Sequence, residues 1–278
     1  MSLVDSGDER RLERFGPYLL DRPAPAARWP QRRPDAWSAA DARFERAGPD
    51  AGAWLPAGAL PEAWVVEHGR LRLELRTTTS GGVGLFPEQA PLWSWLAEQA
   101  ARRVKSAAPP AVLSLFAHTG AATLALAAAG AHVVHVDASR PAVSWARRNA
   151  ELSGLASAPV RWIVDDALAF ARREVRRARR YAGIVLDPPS YGHGPTRSAW
   201  QLGEHLPALL DACALLWATD GFVLLTAHTP GFGSERLAGL LGAALGRATG
   251  ELEAGELGLE AESGAHLPAG AYARAGGG

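Results

Sequence analysis

Hydrophobic and polar residues change rhythm along this 278-residue chain, and the clearer rhythm lies in its second half. From Ala111 onward, short apolar runs recur at Val112–Phe116, Val133–Val136, Val160–Val164, Ile184–Leu186 and Phe222–Thr226. The stretches between them have the length of crossover helices. Short apolar strands alternating with helices predict an α/β fold: a mostly parallel twisted sheet, covered by helices on both faces and joined by right-handed connections.

Two of the helices can be read in detail. After Asp137, Ser139 stands where an N-cap belongs, Pro141 falls in the first turn and Gly154 follows the end. From Ala167 to Arg180, Leu168, Ala171, Val175 and Ala178 mark one face at helical spacing. The opposite face holds Arg172, Arg173, Arg176, Arg177, Arg179 and Arg180, with Glu174 the one acid among them. A solvated face accounts for that run more simply than a grip on phosphates. A further helix is expected from Leu206 to Ala218, and two more strands between Gly250 and Arg274.

Upstream the pattern weakens. Pro23, Pro25, Pro30, Pro34, Pro49 and Pro56 argue against long helices before Leu60. Arg70–Arg76 alternates polar and apolar residues, as a half-buried strand does. Gly81-Gly82 then breaks the pattern as a turn would, and Pro87 opens a helix running to about Arg103. The expected organisation is a small β-containing N-terminal extension, 1–80, followed by the main domain, 81–278.

Composition narrows the setting. Twenty-nine basic residues balance 29 acidic ones, so no global charge draws the chain to nucleic acid. At the N-terminus, seven arginines up to Arg33 face five acids, too small an excess for an RNA-binding tail. Cys213 is the single cysteine, which excludes an intramolecular disulfide and a cysteine metal cluster and fits a reducing cytoplasm. The start, Met1-Ser-Leu-Val-Asp-Ser-Gly-Asp, lacks the pattern of a signal peptide, and no run reaches the roughly 18 apolar residues of a membrane span. A cytoplasmic protein without membrane contact or metal is expected; the oligomeric state is not legible.

The candidate chemistry sits at strand ends. The first strand runs into Ala117-His118-Thr119-Gly120, where small residues admit a ligand close to the backbone. Asp137 ends the second strand, where an acid typically bonds ribose hydroxyls; an acid at a helix N-terminus is the plainer alternative. Asp165 and Asp166 end the third strand, and one of the two is expected to be only a helix cap. Asp187-Pro188-Pro189-Ser190 ends the fourth. There two prolines stop the strand, and a carboxylate beside the fixed Pro188 carbonyl can accept hydrogen bonds from one amino group and orient its lone pair.

Together, Phe116-Ala-His-Thr-Gly120, Val136-Asp137, the run Ala146–Leu152, Asp165-Asp166 and Asp187-Pro-Pro-Ser190 resemble class I S-adenosylmethionine-dependent methyltransferases, which have a Rossmann-like fold. Within them, the bacterial large-subunit ribosomal RNA methyltransferase branch is the most similar. The resemblance covers about Val83 to Thr229, including Gly84–Gln89, which in that branch packs over the cofactor. It implies S-adenosyl-L-methionine as cofactor, bound by Phe116, Ala117, His118, Thr119 and Gly120, with Gly120 at its methionine moiety. It further implies Asp137 on the ribose and Asp166 at the adenine amine, with Ala138 and Asp165 also at the cofactor, Phe86 and Gln89 lining the cleft, and Asp187 facing the acceptor.

Two departures from that branch matter. No separate RNA-binding domain is recognisable in the first 80 residues. Methylation of a pyrimidine carbon needs a cysteine nucleophile, whereas the segment after the fifth strand is Thr226-Ala-His-Thr-Pro230 and Cys213 reads as buried filler. Asp187-Pro-Pro-Ser190-Tyr191 looks like the Asp/Asn-Pro-Pro-aromatic motif of amino-directed methyltransferases, with the aromatic displaced by one place. The expected reaction is therefore transfer to a nitrogen of an RNA base, with Asp187, Pro188, Pro189, Ser190 and Tyr191 at the acceptor. His193, in Gly192-His193-Gly194, could contact it. A small-molecule or protein acceptor, and a cofactor-binding protein without catalysis, remain open.

Overall fold

The structure is a computed structural model that describes residues 1–48, 51–104, 109–193 and 199–276, without the side chain of His193. The chain divides into two compact units, Met1–Ala90 with Gly258–Ala269 and Pro91–Leu257 with Gly270–Gly278. The linear boundary expected at residue 80 differs from this division by ten residues and by the tail segment that returns to the first unit.

In the first unit, β1 (Ser2–Gly7), β2 (Arg10–Phe15), β3 (Tyr18–Pro23), β4 (Ala42–Arg46) and β5 (Gly52–Leu55) form one sheet in chain order. All its pairs are antiparallel except β3 with β4. Between β3 and β4 lies a single turn of helix, α1 (Pro34–Trp37), and β6 (Trp64–His68) with β7 (Leu71–Leu75) makes a separate hairpin. β7 is the expected alternating strand. The first five have a mixed interior: Leu12, Phe15, Leu20 and Phe44 are buried, but so are Glu13, Asp21 and Arg22. Glu13 pairs with Arg22, and Arg10 donates to Asp21 at 2.5 Å, so the charges go inside as ion pairs.

The second unit contains the alternation seen in the sequence. In order the chain runs α2 (Ala90–Val104), β8 (Ala111–Leu115), α3 (Ala121–Ala128), β9 (His132–Asp137), α4 (Arg140–Leu152) and β10 (Val160–Val164). Then come α5 (Ala167–Arg176), β11 (Tyr181–Leu186), β12 (Tyr191–His193), β13 (Ala199–Gln201), α6 (Leu202–Leu216), β14 (Trp217–Ala227), α7 (Ser234–Leu245), β15 (Glu253–Glu260) and β16 (His266–Ala275). The main sheet is ordered β10-β9-β8-β11-β14-β16-β15, parallel from β10 to β14, with β16 antiparallel to β14.

Residues alternate between two cores because successive strand side chains face opposite ways. Leu113, Ile184 and Leu225 pack with Phe170 of α5, Leu206 and Leu209 of α6 and Leu237 of α7. On the other face Val112, Val185 and Leu224 meet Leu92 and Leu96 of α2 and Leu126 of α3. Gly183 is required in β11, since a Cβ there would stand 2.2 Å from the Phe222 ring. Among the described residues no helix is long and apolar enough to cross a membrane.

Three element boundaries differ from expectation. α5 stops at Arg176, and Ala178 at φ 51° turns Arg179 and Arg180 out of it. Within the arginine run, Arg173 pairs with Asp165 and Arg177 with Glu174. Trp217 and Ala218 begin β14 instead of ending a helix, because the apolar run of α6 passes into the strand without a polar break. Phe116, at φ 54°, has already left β8.

Candidate functional site

β8 and β11 lie side by side, but the chain leaves β8 toward β9 and leaves β11 toward β14. The strand order reverses between them, and beyond the carboxyl ends of such a pair a crevice opens for a ligand. The turn that ends at Gly120 follows β8, and Asp187-Pro188-Pro189-Ser190 follows β11.

On the β8 side, Phe116, His118 and Gly120 have φ values of 54°, 47° and 90°. Two non-glycine residues held in this region mark a turn fixed by its surroundings, a common feature of functional sites. Gly120 is needed twice over, for its positive φ and because a Cβ would come within 3.0 Å of the Ala146 Cβ on α4. From the same helix buried Asn149 donates Nδ2 to the Thr119 carbonyl at 2.9 Å. Asp137 accepts the His118 amide on Oδ2 and the Ser139 amide on Oδ1, each at 2.8 Å. Its carboxylate is thereby fixed beside Ala138 with lone pairs left for hydroxyl groups.

Helix ends sharpen the picture. Ser139 caps α4 through the Ala142 amide at 3.3 Å, and Asp166 caps α5 through the Ala169 amide at 2.8 Å. At the start of α3 the N-cap position is Gly120, which has no side chain with which to cap the helix. Its first-turn amides point beyond the end of β8, where they and the helix dipole favour an anionic group. Of the acid pair ending β10, Asp166 is the cap, while Asp165 accepts the Asp166 amide at 2.9 Å and pairs with Arg173. Both carboxylates therefore carry a structural partner.

On the β11 side, Asp187 Oδ1 accepts the Thr226 hydroxyl at 2.5 Å and lies 3.5 Å from His228 Nε2. Among the described residues no donor is bonded to the Pro188 carbonyl. The Pro189 carbonyl accepts the Trp200 indole N–H at 2.8 Å. Ser190 Oγ lies 2.6 Å from Thr229 Oγ1, and the Ser190 carbonyl takes the Leu202 amide at 3.1 Å. Tyr191 is 64% exposed at the start of β12. The Trp200 ring sits 4.8 Å from the Phe116 ring, which joins the segment after β11 to the turn after β8.

Two imidazoles underlie the turn. Burial pushes the His118 pKa down against the pull of Asp137 and Asp187, so the ring favours its neutral form. His135, fully buried on β9 with Nδ1 2.9 Å from Thr123 Oγ1, is driven by burial to about 3. Cys213 lies on the core face of α6, where burial pushes its thiol up to about 12; it is no nucleophile for this crevice.

The second unit thus gathers Phe116 to Gly120, Asp137, Ala138, Asp165, Asp166 and Asp187 to Tyr191 at the carboxyl ends of neighbouring strands. Phe86 and Gln89 belong to the first unit, where the Gln89 amide donates to the Phe86 carbonyl at 3.1 Å. The side chain of His193 lies outside what is described. Asn149, Trp200, Thr226, His228 and Thr229 were not singled out from the sequence. The useful signal for the last three was positional: β14 neighbours β11, so its end must meet the residues that follow Leu186. An uncapped helix N-terminus beside a backbone-fixed carboxylate suits a ligand bearing both a carboxylate and a vicinal diol, as S-adenosylmethionine does.

The model of a family described as S-adenosylmethionine-dependent methyltransferase matches residues 31–238, well over half the chain. The chain is 36% identical to a crystallised S-adenosylmethionine-dependent methyltransferase from Agrobacterium tumefaciens, with a TM-score of 0.92 over 100% of this chain and 90% of that one. A proposed S-adenosylmethionine-dependent methyltransferase from Streptococcus mutans shares the fold, at 15% identity and a TM-score of 0.75 over 98% of this chain and 74% of that one. Ribosomal RNA large subunit methyltransferase K of Neisseria meningitidis is 29% identical over 46% of this chain and 37% of its own length. The K/L enzyme of Magnetococcus marinus is 29% identical over 62% of this chain and 23% of its own. The chain thus spans well under half the length of these two curated relatives.

Proposed function

The chain belongs to the S-adenosylmethionine-dependent methyltransferase family, and from that premise we propose that it methylates a nitrogen of an RNA base. The observation that carries this reading is the end of β11. A carboxylate stands there beside the Pro188 carbonyl, to which no described residue donates, and the chain's one cysteine is buried elsewhere. Such a pair accepts hydrogen bonds from an amino group, whereas attack through the C5 of a cytosine calls for a thiolate. RNA as the substrate class is supported by the relatives named as large-subunit ribosomal RNA methyltransferases.

When bound, S-adenosylmethionine supplies an electrophilic methyl group on a positively charged sulfur, with a neutral leaving group. On this reading, the uncapped start of α3 and the turn Phe116–Gly120 hold the methionine carboxylate end. Asp137 with Ala138 takes the ribose hydroxyls, and Asp166, beside Asp165, offers its remaining oxygen to the adenine amine. Asp187 and the Pro188 carbonyl orient the acceptor, with Pro189, Ser190 and Tyr191 shaping its loop. Tyr191 presents an exposed ring on which a base can stack.

Methyl-tritiated S-adenosylmethionine offered with large-subunit rRNA and, separately, with a small-metabolite extract tests the proposal. Label recovered in an N-methylated nucleoside is the expected result. Label in the small-metabolite fraction alone, or on a carbon or ribose oxygen of the RNA, overturns it.

A further inference from the structure

We propose that His228 accepts the proton released by the acceptor nitrogen; this rests on the reading that nitrogen is methylated. His228 is the first residue beyond β14. Its Nε2 lies 3.5 Å from Asp187 Oδ1. Its Nδ1 stands 3.0 Å from the point where a Cβ would project from Gly270 on β16. Gly270 has φ +145°, and the same Cβ would approach the Ala227 carbonyl to 2.6 Å. A side chain at 270 would clash with the Ala227 carbonyl and press on the imidazole, so glycine there leaves the ring in place with Nε2 toward Asp187.

Both groups remain accessible: the His228 side chain is 28% exposed and that of Asp187 24%. The Thr226 hydroxyl already occupies one side of Oδ1. An amine that donates to Asp187 therefore comes within reach of Nε2. As the acceptor nitrogen bonds the methyl carbon, the carbon–sulfur bond breaks with its electron pair on sulfur. The nitrogen becomes cationic, and one N–H proton passes to Nε2 and then to solvent as product leaves. An imidazole, with an ordinary pKa of about 6.5, takes such a proton near neutrality better than a carboxylate at about 4.

The test uses the full chain, in-vitro-transcribed large-subunit rRNA and methyl-tritiated S-adenosylmethionine. Nucleoside analysis of the wild-type product judges the nitrogen reading by itself, and label on carbon or on ribose oxygen ends both readings. With label on nitrogen, His228→Ala and His228→Gln are each expected to lose roughly 100-fold in kcat, with KM for both substrates within about twofold of wild type. Added imidazole restores His228→Ala at least about tenfold and leaves His228→Gln unchanged. S-adenosylhomocysteine binding, followed by calorimetry, stays at wild-type affinity in both. A His228→Gln enzyme with near-wild-type kcat, a loss confined to the KM for RNA, or an Ala variant that binds S-adenosylhomocysteine but ignores imidazole overturns the role of His228 alone. Should His228→Ala fail to bind S-adenosylhomocysteine, the kcat of His228→Gln decides.

Discussion

The hydroxyl of Thr226 donates to Asp187 Oδ1 across 2.5 Å, tying the last turn of one strand to the acid that follows its neighbour. Thr226 is buried, so no water replaces that donor when it is removed. Thr226→Val keeps the shape and deletes the hydroxyl. It should cost about 1 kcal/mol of stability and lower kcat about tenfold, because the carboxylate loses the bond that aims it. Thr226→Ser restores the donor and should recover most of both. Chemical denaturation and methyl-transfer assays read the two effects, and a Val variant with unchanged kcat would detach Thr226 from catalysis.

Asp137 accepts two backbone amides, one per oxygen, at 2.8 Å each. In Asp137→Asn the NH2 group must face one of those N–H donors, so the turn loses a charge-assisted bond as well as the acceptor proposed for the ribose. S-adenosylhomocysteine affinity should fall between about 10- and 100-fold, in line with 1.5–3 kcal/mol for a hydrogen bond to a charged group. Titration calorimetry measures it directly. An unchanged Kd would place the ribose elsewhere.

The β8-to-β11 half of the site was readable because its strands are continuous apolar runs and its acids stand at their ends. Ser139 announced the start of α4 in the expected way, and Asp166 proved to be the cap of the acid pair. The first unit was not readable strand by strand. Its Arg10–Phe15 strand buries Glu13 against Arg22, so hydrophobicity does not report which positions face inward. The end of α5 was hidden as well, since Ala178 takes the left-handed conformation that a glycine would have signalled. His228 left no trace, because a lone histidine after a strand has meaning only once Gly270 and Asp187 are placed around it.

Acid should weaken the fold through His135. Its folded pKa of about 3 lies below the ordinary 6.5 because burial disfavours the charged ring. Below pH 6.5 the unfolded chain therefore binds more protons than the folded one. Stability is complete above that point and falls as pH drops toward 3, with His118 shifted in the same direction. At pH 5.5 the loss from His135 should be on the order of 1 kcal/mol. His135→Asn can still meet Thr123 and should reduce the difference in urea midpoint between pH 7.5 and 5.5. An identical difference in wild type and variant would mean that His135 does not titrate in this way.

Trp200 offers the sharpest test of how the two halves of the crevice are joined. Its indole N–H holds the Pro189 carbonyl at 2.8 Å while its ring lies 4.8 Å from Phe116 at an angle of 56°. Trp200→Phe keeps an aromatic contact but frees the carbonyl, and should cost about 1 kcal/mol. Trp200→Ala loses both and should cost about 3–4 kcal/mol, since the residue is only 5% exposed. The coupling itself is read from a double-mutant cycle of Phe116→Leu with Trp200→Leu. An interaction energy of about 0.5–1.5 kcal/mol is expected for a packed aromatic pair. The same cycle run on S-adenosylhomocysteine affinity should also be non-additive, because Phe116 belongs to the turn before Gly120 and Trp200 to the hairpin after Ser190. Additive behaviour in both measurements would show that the turn and the acceptor loop are set independently.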